Sequence, residues 1–256
     1  PIQGPWLMDQ MKNQAQAFGT RIKNDFVKEI TFEKRPFELI TEKESINSHS
    51  VIIATGAQAK WLNVKGEKEF MGYGVSACAT CDGFFFKGKE VAVIGGGNTA
   101  AEESLFLSNL CEKVYLIHRR NKLRAENILQ DRVFKKKNIE IIWDSQVETI
   151  IGDLENKKLT SVRLINNQNQ KSELKIDGLF VAIGHSPATN IFKHKIQMDS
   201  DGYIFTQPDS TKTNVEGVFA AGDVTDRIYR QAVTAAGMGC MSALEAESFL
   251  NIKKIA

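Results

Sequence analysis

Apolar runs of strand length alternate with stretches of helical period along this chain, and near its middle they fall in an order that defines one supersecondary unit. Val91–Ile94 is an uninterrupted apolar run that opens into Gly95-Gly96-Gly97-Asn98-Thr99-Ala100; Ala101–Leu110 then carries apolar residues at helical intervals, and Lys113–Ile117 is a second buried strand. This order predicts a βαβ unit with parallel strands and a right-handed crossover. Upstream, Trp6–Phe18 reads as a helix stopped by Gly19, Phe26–Ile30 and Phe37–Ile40 as strands about Pro36, and Ser50–Ala54 as a buried strand ending in Thr55-Gly56. Downstream, a basic helix-like stretch, Lys122–Lys137, leads into the strand Ile139–Trp143. Gln146–Ile151, Leu159–Ile165 and Ser172–Ile176, separated by polar turns, predict an antiparallel excursion from a parallel sheet. Leu179–Ile183 and Gly217–Ala221 are further buried strands, and a helix of small residues runs from about Gln231 to Leu250.

Composition narrows the picture. The 256 residues allow one large domain or two modest ones. Charges nearly cancel, 33 Lys+Arg against 31 Asp+Glu, so no bulk electrostatics draws the chain to nucleic acid or to an acidic membrane surface. With 42% hydrophobic and 25% charged residues the chain is an ordinary globular one. No apolar run approaches the ~18 residues of a membrane span, and Pro1–Met11 lacks the basic and apolar regions of a secretory signal. A cytoplasmic protein is therefore expected.

Four cysteines are too few for a secreted disulfide framework, but two stand as Cys78-Ala79-Thr80-Cys81. A C-x-x-C in such a chain is either a redox dithiol or half of a zinc site. Zinc needs two more ligands. Cys111 lies inside an apolar helix, Cys240 is farther still, and no His follows at finger-like spacing, so the redox reading is favoured and Cys111 and Cys240 read as buried small hydrophobes. At a helix start a dithiol can close into a small disulfide, and the reduced form gains from the helix dipole; the adjacent Asp82 can give or take the proton that exchange requires.

Two further signals accompany the pair. In Gly95-x-Gly97-x-x-Ala100, between strand and helix, Gly95 permits the tight turn, Gly97 admits a pyrophosphate to the backbone, and Ala100 lets helix pack on strand, with Asn98 and Thr99 at the helix start. The second strand ends in His118-Arg119-Arg120, where an NAD site would carry Asp or Glu; with Arg124 on the first turn of the following helix, these guanidinium groups favour a 2′-phosphate, and His118 is either a positioning or stacking residue or an ordinary partly buried histidine. The other signal is Gly222-Asp223 after the strand Gly217–Ala221, followed by Arg230-Gln231-Ala232 at the start of the last helix, a place for a carboxylate to hold a sugar or polyol hydroxyl. Alone, Gly-Asp is equally a plain turn. A nicotinamide site and a redox disulfide in one chain call for a mediator, usually a flavin.

Taken together these residues resemble the bacterial-type, low-molecular-weight thioredoxin reductases, a class of FAD- and NADPH-dependent pyridine nucleotide-disulfide oxidoreductases. The resemblance rests on Ser76–Phe85, Val91–Glu103, Leu116–Arg120, Gly178–Pro187, Gly217–Asp223 and Arg230–Ala232, and covers essentially the whole chain. It implies an α/β fold of two Rossmann-like three-layer dinucleotide-binding domains: an FAD domain split between residues 1–59 and 185–256, and an NADPH domain with the C-x-x-C over 60–184. It implies electron flow from NADPH to FAD, from FAD to the Cys78–Cys81 disulfide, and from there to thioredoxin. Cys81 then faces the flavin, Cys78 attacks the partner, and Asp82 moves the proton. Thr55, Gly56, Gly222, Asp223, Arg230, Gln231 and Ala232 match FAD contacts, and Arg119, Arg120 and Arg124 match NADP phosphate contacts. A cytoplasmic homodimer is implied, with one domain rotating against the other about links near Ala57–Trp61 and His185–Thr189.

The chain departs from this pattern in holding one glycine fingerprint where the family has two. A fingerprint unit takes about 30 residues, so the FAD domain is expected to be N-terminally incomplete. Phe84-Phe85-Phe86 is either an aromatic patch for thioredoxin or a short buried element, and Tyr73 stands where some relatives carry a basic residue. Two alternatives follow: the flavoprotein component of a peroxide-reducing system, and an NADP-binding fragment without turnover.

Overall fold

A computed structural model describes residues 3–254, so Pro1, the first residue of the expected FAD segment, lies outside the described residues. The chain forms two compact units, one from Pro1–Gly56 with Pro187–Ala256 and the other from Ala57–Ser186.

The first unit begins with α1 (Gly4–Ala17), none of whose residues is buried, and continues through the antiparallel sheet β1 (Val27–Thr31), β2 (Phe37–Thr41) and β3 (Ser45–Ser48) to β4 (Val51–Ile53). The second unit contains β5 (Ala57–Ala59), α2 (Glu67–Phe70), β6 (Val75–Ser76), α3 (Ala79–Asp82), β7 (Glu90–Ile94), α4 (Asn98–Leu107), β8 (Lys113–Ile117), α5 (Asn127–Lys135) and β9 (Ile139–Ile142). It goes on with β10 (Ser145–Asp153), β11 (Lys158–Asn166), β12 (Lys171–Lys175), β13 (Gly178–Val181) and β14 (His185–Pro187), the last pairing with β5 where the chain passes between units. The first unit resumes with β15 (Val218–Ala220), parallel to β4, and closes with α6 (Ala232–Ile252).

The second unit has three layers. Its central sheet runs β6-β13-β7-β8-β9, every pairing parallel. Because side chains alternate across a strand, β7 serves two cores: Val91 and Val93 pack with Ala101, Leu105 and Leu107 of α4 and Leu129 and Val133 of α5. Ala92 and Ile94 face the other way, into Val147, Ile150, Leu159, Val162 and Leu164 of the antiparallel sheet β10-β11-β12. Both faces of the sheet are covered, which is why β7 reads as a continuous apolar run. Each valine, leucine or isoleucine here contributes about 1.5–3 kcal/mol on burial.

The first unit has a smaller core around Ile30, Phe37, Ile53, Phe192, Ile204 and Val218. The Arg35 guanidinium lies between the rings of Phe37 and Phe249, 4.9 Å from each centroid, and donates to the Glu216 carbonyl. α6 buries only Ser242 and Ala246 and leaves Val233, Leu244 and Ile252 exposed. Among the described residues no helix is long and apolar enough to cross a membrane.

Three expectations are corrected. The basic stretch from Lys122 is helical only from Asn127, so Arg124 sits on the preceding loop. The cause is local: the Arg124 and Ala125 N–H groups both donate to the Gly96 carbonyl, and the Glu126 N–H donates to Asn98 Oδ1, so the loop's amides are held by the glycine turn. Cys111 is buried as expected, but in the turn after α4 rather than within the helix. Cys240 is exposed, because α6 turns most of its surface away from the core.

Candidate active site

Cys78 and Cys81 are joined as a disulfide, with Cα atoms 5.3 Å apart. β6 delivers Cys78 in an extended conformation to the N-cap of α3, a single turn, so that its Sγ accepts the Cys81 N–H at 3.2 Å. Thr80 Oγ1 lies 3.4 Å from the same sulfur, and since a disulfide sulfur carries no proton, the threonine donates. Beside the pair, Ser76 Oγ donates to Asp82 Oδ2 at 2.6 Å and accepts the Cys78 N–H at 3.1 Å. Gly83 fastens the end of this turn to α4, where an added Cβ would meet Leu107 at 2.9 Å.

The triple phenylalanine divides. Phe86 packs edge-on against Phe180, with centroids 5.4 Å apart, while Phe84 and Phe85 stand 70% and 73% exposed next to the disulfide. Tyr73 is also exposed, and Lys157 supplies a cation there from the β10-β11 turn, its Nζ 4.8 Å from the ring centroid.

The glycine turn between β7 and α4 opens onto a cavity of about 510 Å³ lined by Gly95, Gly96, Gly97, Thr99, His118, Arg119 and Arg124 on one side and by Trp61, Leu62 and Val64 on another. Gly95, at φ +154°, packs against the Ala182 carbonyl and Ala100 Cβ, so the fully buried Ala100 closes helix onto strand as its place in the motif requires. Around Gly97 an added Cβ would meet nothing within 4 Å. The tightest position is Gly96, which the motif leaves unspecified: its Cβ would fall 2.2 Å from His118 Cε1. His118 is only 4% exposed, its Nε2 lies 3.1 Å from the Lys122 carbonyl, and burial, aided by the Arg124 and Arg120 charges, holds its pKa below the ordinary value. It is a spacer behind the turn. Arg120 is exposed and does not line the cavity, and the Asn98 side chain is spent on Glu126.

The apolar wall has a buried support that sequence reasoning missed. Glu67 is 2% exposed, and its two carboxylate oxygens accept the Leu62 N–H at 2.8 Å and the Asn63 N–H at 2.7 Å. No local pattern marks such a clamp, because its partners are backbone amides.

In the first unit, Thr55-Gly56 and Gly222-Asp223 follow the parallel strands β4 and β15 at their carboxyl ends, where α/β sheets hold ligands. Thr55 Oγ1 donates to the Ala188 carbonyl, and Gly56 accepts the Ala188 N–H. Asp226 accepts the N–H groups of Ile228, Tyr229 and Arg230, which outweigh burial and lower its pKa. Arg230 thus precedes α6, Gln231 caps it through a capping box with Thr234, and Ala232 is its first residue. Asp223 accepts no hydrogen bond among the described residues; burial, reinforced by Asp226 and opposed by Arg230, raises its pKa. A carboxylate at the end of a parallel strand that accepts no hydrogen bond fits a polyol hydroxyl, as a flavin dinucleotide would present.

Residues 6–239 match the family model described as pyridine nucleotide-disulphide oxidoreductase. The chain is 54% identical over 252 residues to the thioredoxin reductase of Rickettsia conorii, covering 98% of this chain and 81% of that protein. It is 45% identical to a protein of Pseudomonas fluorescens named glucosaminate ammonia-lyase, covering 98% and 79% respectively. Among solved structures it superposes on thioredoxin reductase from Giardia duodenalis with a TM-score of 0.92 at 43% identity, covering 98% of this chain and 82% of that one.

Proposed function

The chain belongs to the pyridine nucleotide-disulphide oxidoreductases, and from that premise we propose that it is an NADPH-dependent reductase of the thioredoxin disulfide. The observation that carries the reading is the Cys78–Cys81 disulfide built into the same compact unit as the glycine-turn cavity. A dinucleotide site alone would serve many reactions, whereas a disulfide in the same unit supplies the electron acceptor.

A flavin, when bound, supplies the conversion between the hydride chemistry of NADPH and the electron pair that opens a disulfide. Gly95, Gly97, Asn98, Thr99 and Ala100 form the turn and helix start for the NADPH pyrophosphate; Arg119 and Arg124 take the 2′-phosphate, Arg120 adds charge nearby, and His118 holds the turn. Thr55, Gly56, Gly222, Asp223, Arg230, Gln231 and Ala232 would hold FAD, with Asp223 offering an acceptor to a polyol hydroxyl. In the reduced pair the Cys81 N–H and the Thr80 hydroxyl aim at Cys78 Sγ, which favours its thiolate. That thiolate attacks the thioredoxin disulfide. Cys81 then displaces the partner, giving up its proton to Asp82, and the Cys78–Cys81 bond re-forms. Phe84 and Phe85 are the apolar contact for thioredoxin.

The reading extends to a cytoplasmic homodimer, the compartment being one that keeps partner dithiols reduced, and the exposed Val233, Leu244 and Ile252 of α6 being apolar area for a second copy. A peroxide-reducing flavoprotein component uses the same centre, with a further redox domain as its acceptor. The lyase named for the Pseudomonas relative is disfavoured, because elimination of ammonia has no use for a redox disulfide.

The test is NADPH-driven reduction of oxidised thioredoxin, with flavin absorbance recorded beforehand. Flavin-loaded protein should turn over and lose all thioredoxin reduction as Cys78→Ser or Cys81→Ser. Persistent turnover in Cys81→Ser contradicts the path, and absence of a flavin band identifies the polypeptide as a nucleotide-binding fragment.

A further inference from the structure

Ser76 belongs to neither the disulfide nor the glycine turn, yet its hydroxyl touches both sides of the redox centre. It is 8% exposed, on the short strand that leads to Cys78. Its Oγ lies 2.6 Å from Asp82 Oδ2, 3.1 Å from the Cys78 nitrogen and 3.4 Å from the Cys78 carbonyl oxygen. Among the described residues no other group hydrogen-bonds the Asp82 carboxylate.

A hydroxyl has one proton to give and two lone pairs to receive. One lone pair is taken by the Cys78 N–H, so the proton has two destinations. With Asp82 ionised it points to Oδ2, at a length typical of a hydroxyl on a carboxylate. With Asp82 protonated, the carboxylic O–H donates to Ser76 Oγ and the serine proton turns to the Cys78 carbonyl, the longer and weaker of the two contacts. Neither setting requires Asp82 to move.

We propose that Ser76 is a positioning residue that holds Asp82 against the cysteine pair in both of its protonation states. The proposal rests on the reading of Cys78, Cys81 and Asp82 as the redox centre. In the step it serves, a partner sulfur is bound to Cys78 as a mixed disulfide. The Cys81 proton passes to the Asp82 carboxylate, Cys81 sulfur attacks Cys78 sulfur, the mixed disulfide breaks, and the partner leaves as a thiolate. The partner is reduced and the dithiol is oxidised by the same electron pair, and Ser76 keeps the carboxylate in place as it receives the proton.

The test uses this chain in a Cys240→Ser background, since Cys240 is exposed and reacts on its own account. The reduced protein is mixed with 5,5′-dithiobis(2-nitrobenzoate), and release of the second thionitrobenzoate, which reports closure of the Cys78–Cys81 bond, is followed from pH 5 to 9. Ser76→Ala should slow closure about tenfold, equivalent to roughly 1.4 kcal/mol, and move the pH profile. Asp82→Asn should slow it at least as much, and the double variant should be no slower than Asp82→Asn. Ser76→Thr, which keeps the hydroxyl, should restore the rate, where a packing role would spare Ala and penalise Thr. Normal closure in Ser76→Ala beside an impaired Asp82→Asn overturns the proposal alone, as do multiplicative effects in the double variant. Normal closure in Asp82→Asn removes Asp82 from the centre and the proposal with it, and absence of any closure in the parent refutes the redox reading itself.

Discussion

Gly96→Ala tests whether the phosphate turn is shaped from behind. A Cβ at this position falls 2.2, 2.4 and 2.7 Å from His118 Cε1, Nδ1 and Nε2. Relaxed contact requires ~3.5 Å, so the ring must retreat by about 1.3 Å. The ring is 4% exposed, edge-on to Trp143 and bonded through Nε2 to the Lys122 carbonyl at 3.1 Å; a retreat of that size breaks the bond. Overpacking costs about 1–3 kcal/mol and the lost bond about 0.5–1.5 kcal/mol, together about 1.5–4.5 kcal/mol. For a unit of this size that lowers the melting temperature on the order of 10 °C. The comparison is Gly97→Ala, where a Cβ meets nothing and φ is −94°. That variant should melt like the parent while losing affinity for NADP⁺, because the methyl occupies the space of the pyrophosphate. Circular dichroism melts and calorimetric titration with NADP⁺ separate the two effects. A Gly96→Ala protein that melts with the parent refutes the reasoning, and so does a Gly96→Ala/His118→Ala pair whose losses simply add.

Arg119→Ala and Arg124→Ala should each weaken NADPH by roughly 10–150-fold, from the loss of about 1.5–3 kcal/mol of charge-assisted bonding, and leave NADH nearly unaffected; Arg120→Ala, off the cavity wall, should cost less, and equal losses for both nucleotides would remove the phosphate assignment. Because burial depresses the His118 pKa below 6.5, its contribution to stability is fully present above pH 6.5 and declines as pH falls through the folded-state value; urea titrations should show His118→Asn flattening that acid slope. Glu67→Ala removes the acceptor of the partly buried Leu62 and Asn63 N–H bonds, each worth about 0.5–1.5 kcal/mol, and loosens the Trp61–Val64 wall, so NADPH and NADH should weaken equally, as competition titrations would reveal. Burial raises the Cys111 thiol pKa to about 11, so in the reduced native protein at pH 8 iodoacetamide should label Cys240 and the redox pair and spare Cys111 until the chain is unfolded, as peptide mapping would show.

The βαβ unit could be read from the sequence because strands covered on both faces run apolar, and β7 and β8 are such strands beyond their first residues, Glu90 and Lys113. The redox pair and the glycine turn were equally visible, since their chemistry lies in consecutive residues. The loop before α5 reads as helix because Ala125, Leu129 and Val133 keep the four-residue spacing of one helix face, while the Gly96 carbonyl takes the loop's amides. Cys240 misled for a different reason: small apolar neighbours usually signal burial, but α6 shows most of its surface. No local pattern marked the particular roles of Gly96, Glu67 and Ser76, because each acts on atoms that only the folded chain brings near.

The Gly96 carbonyl receives the N–H groups of Arg124 and Ala125, and both contacts are made by backbone. The shape of the turn is therefore independent of which side chain stands at 124, whereas the charge that position offers depends on the side chain alone. If 119, 120 and 124 meet the 2′-phosphate as proposed, coenzyme preference can drift by single substitutions there without rebuilding the loop. At 124 and 125 the residue this arrangement rejects is proline, which has no N–H to give.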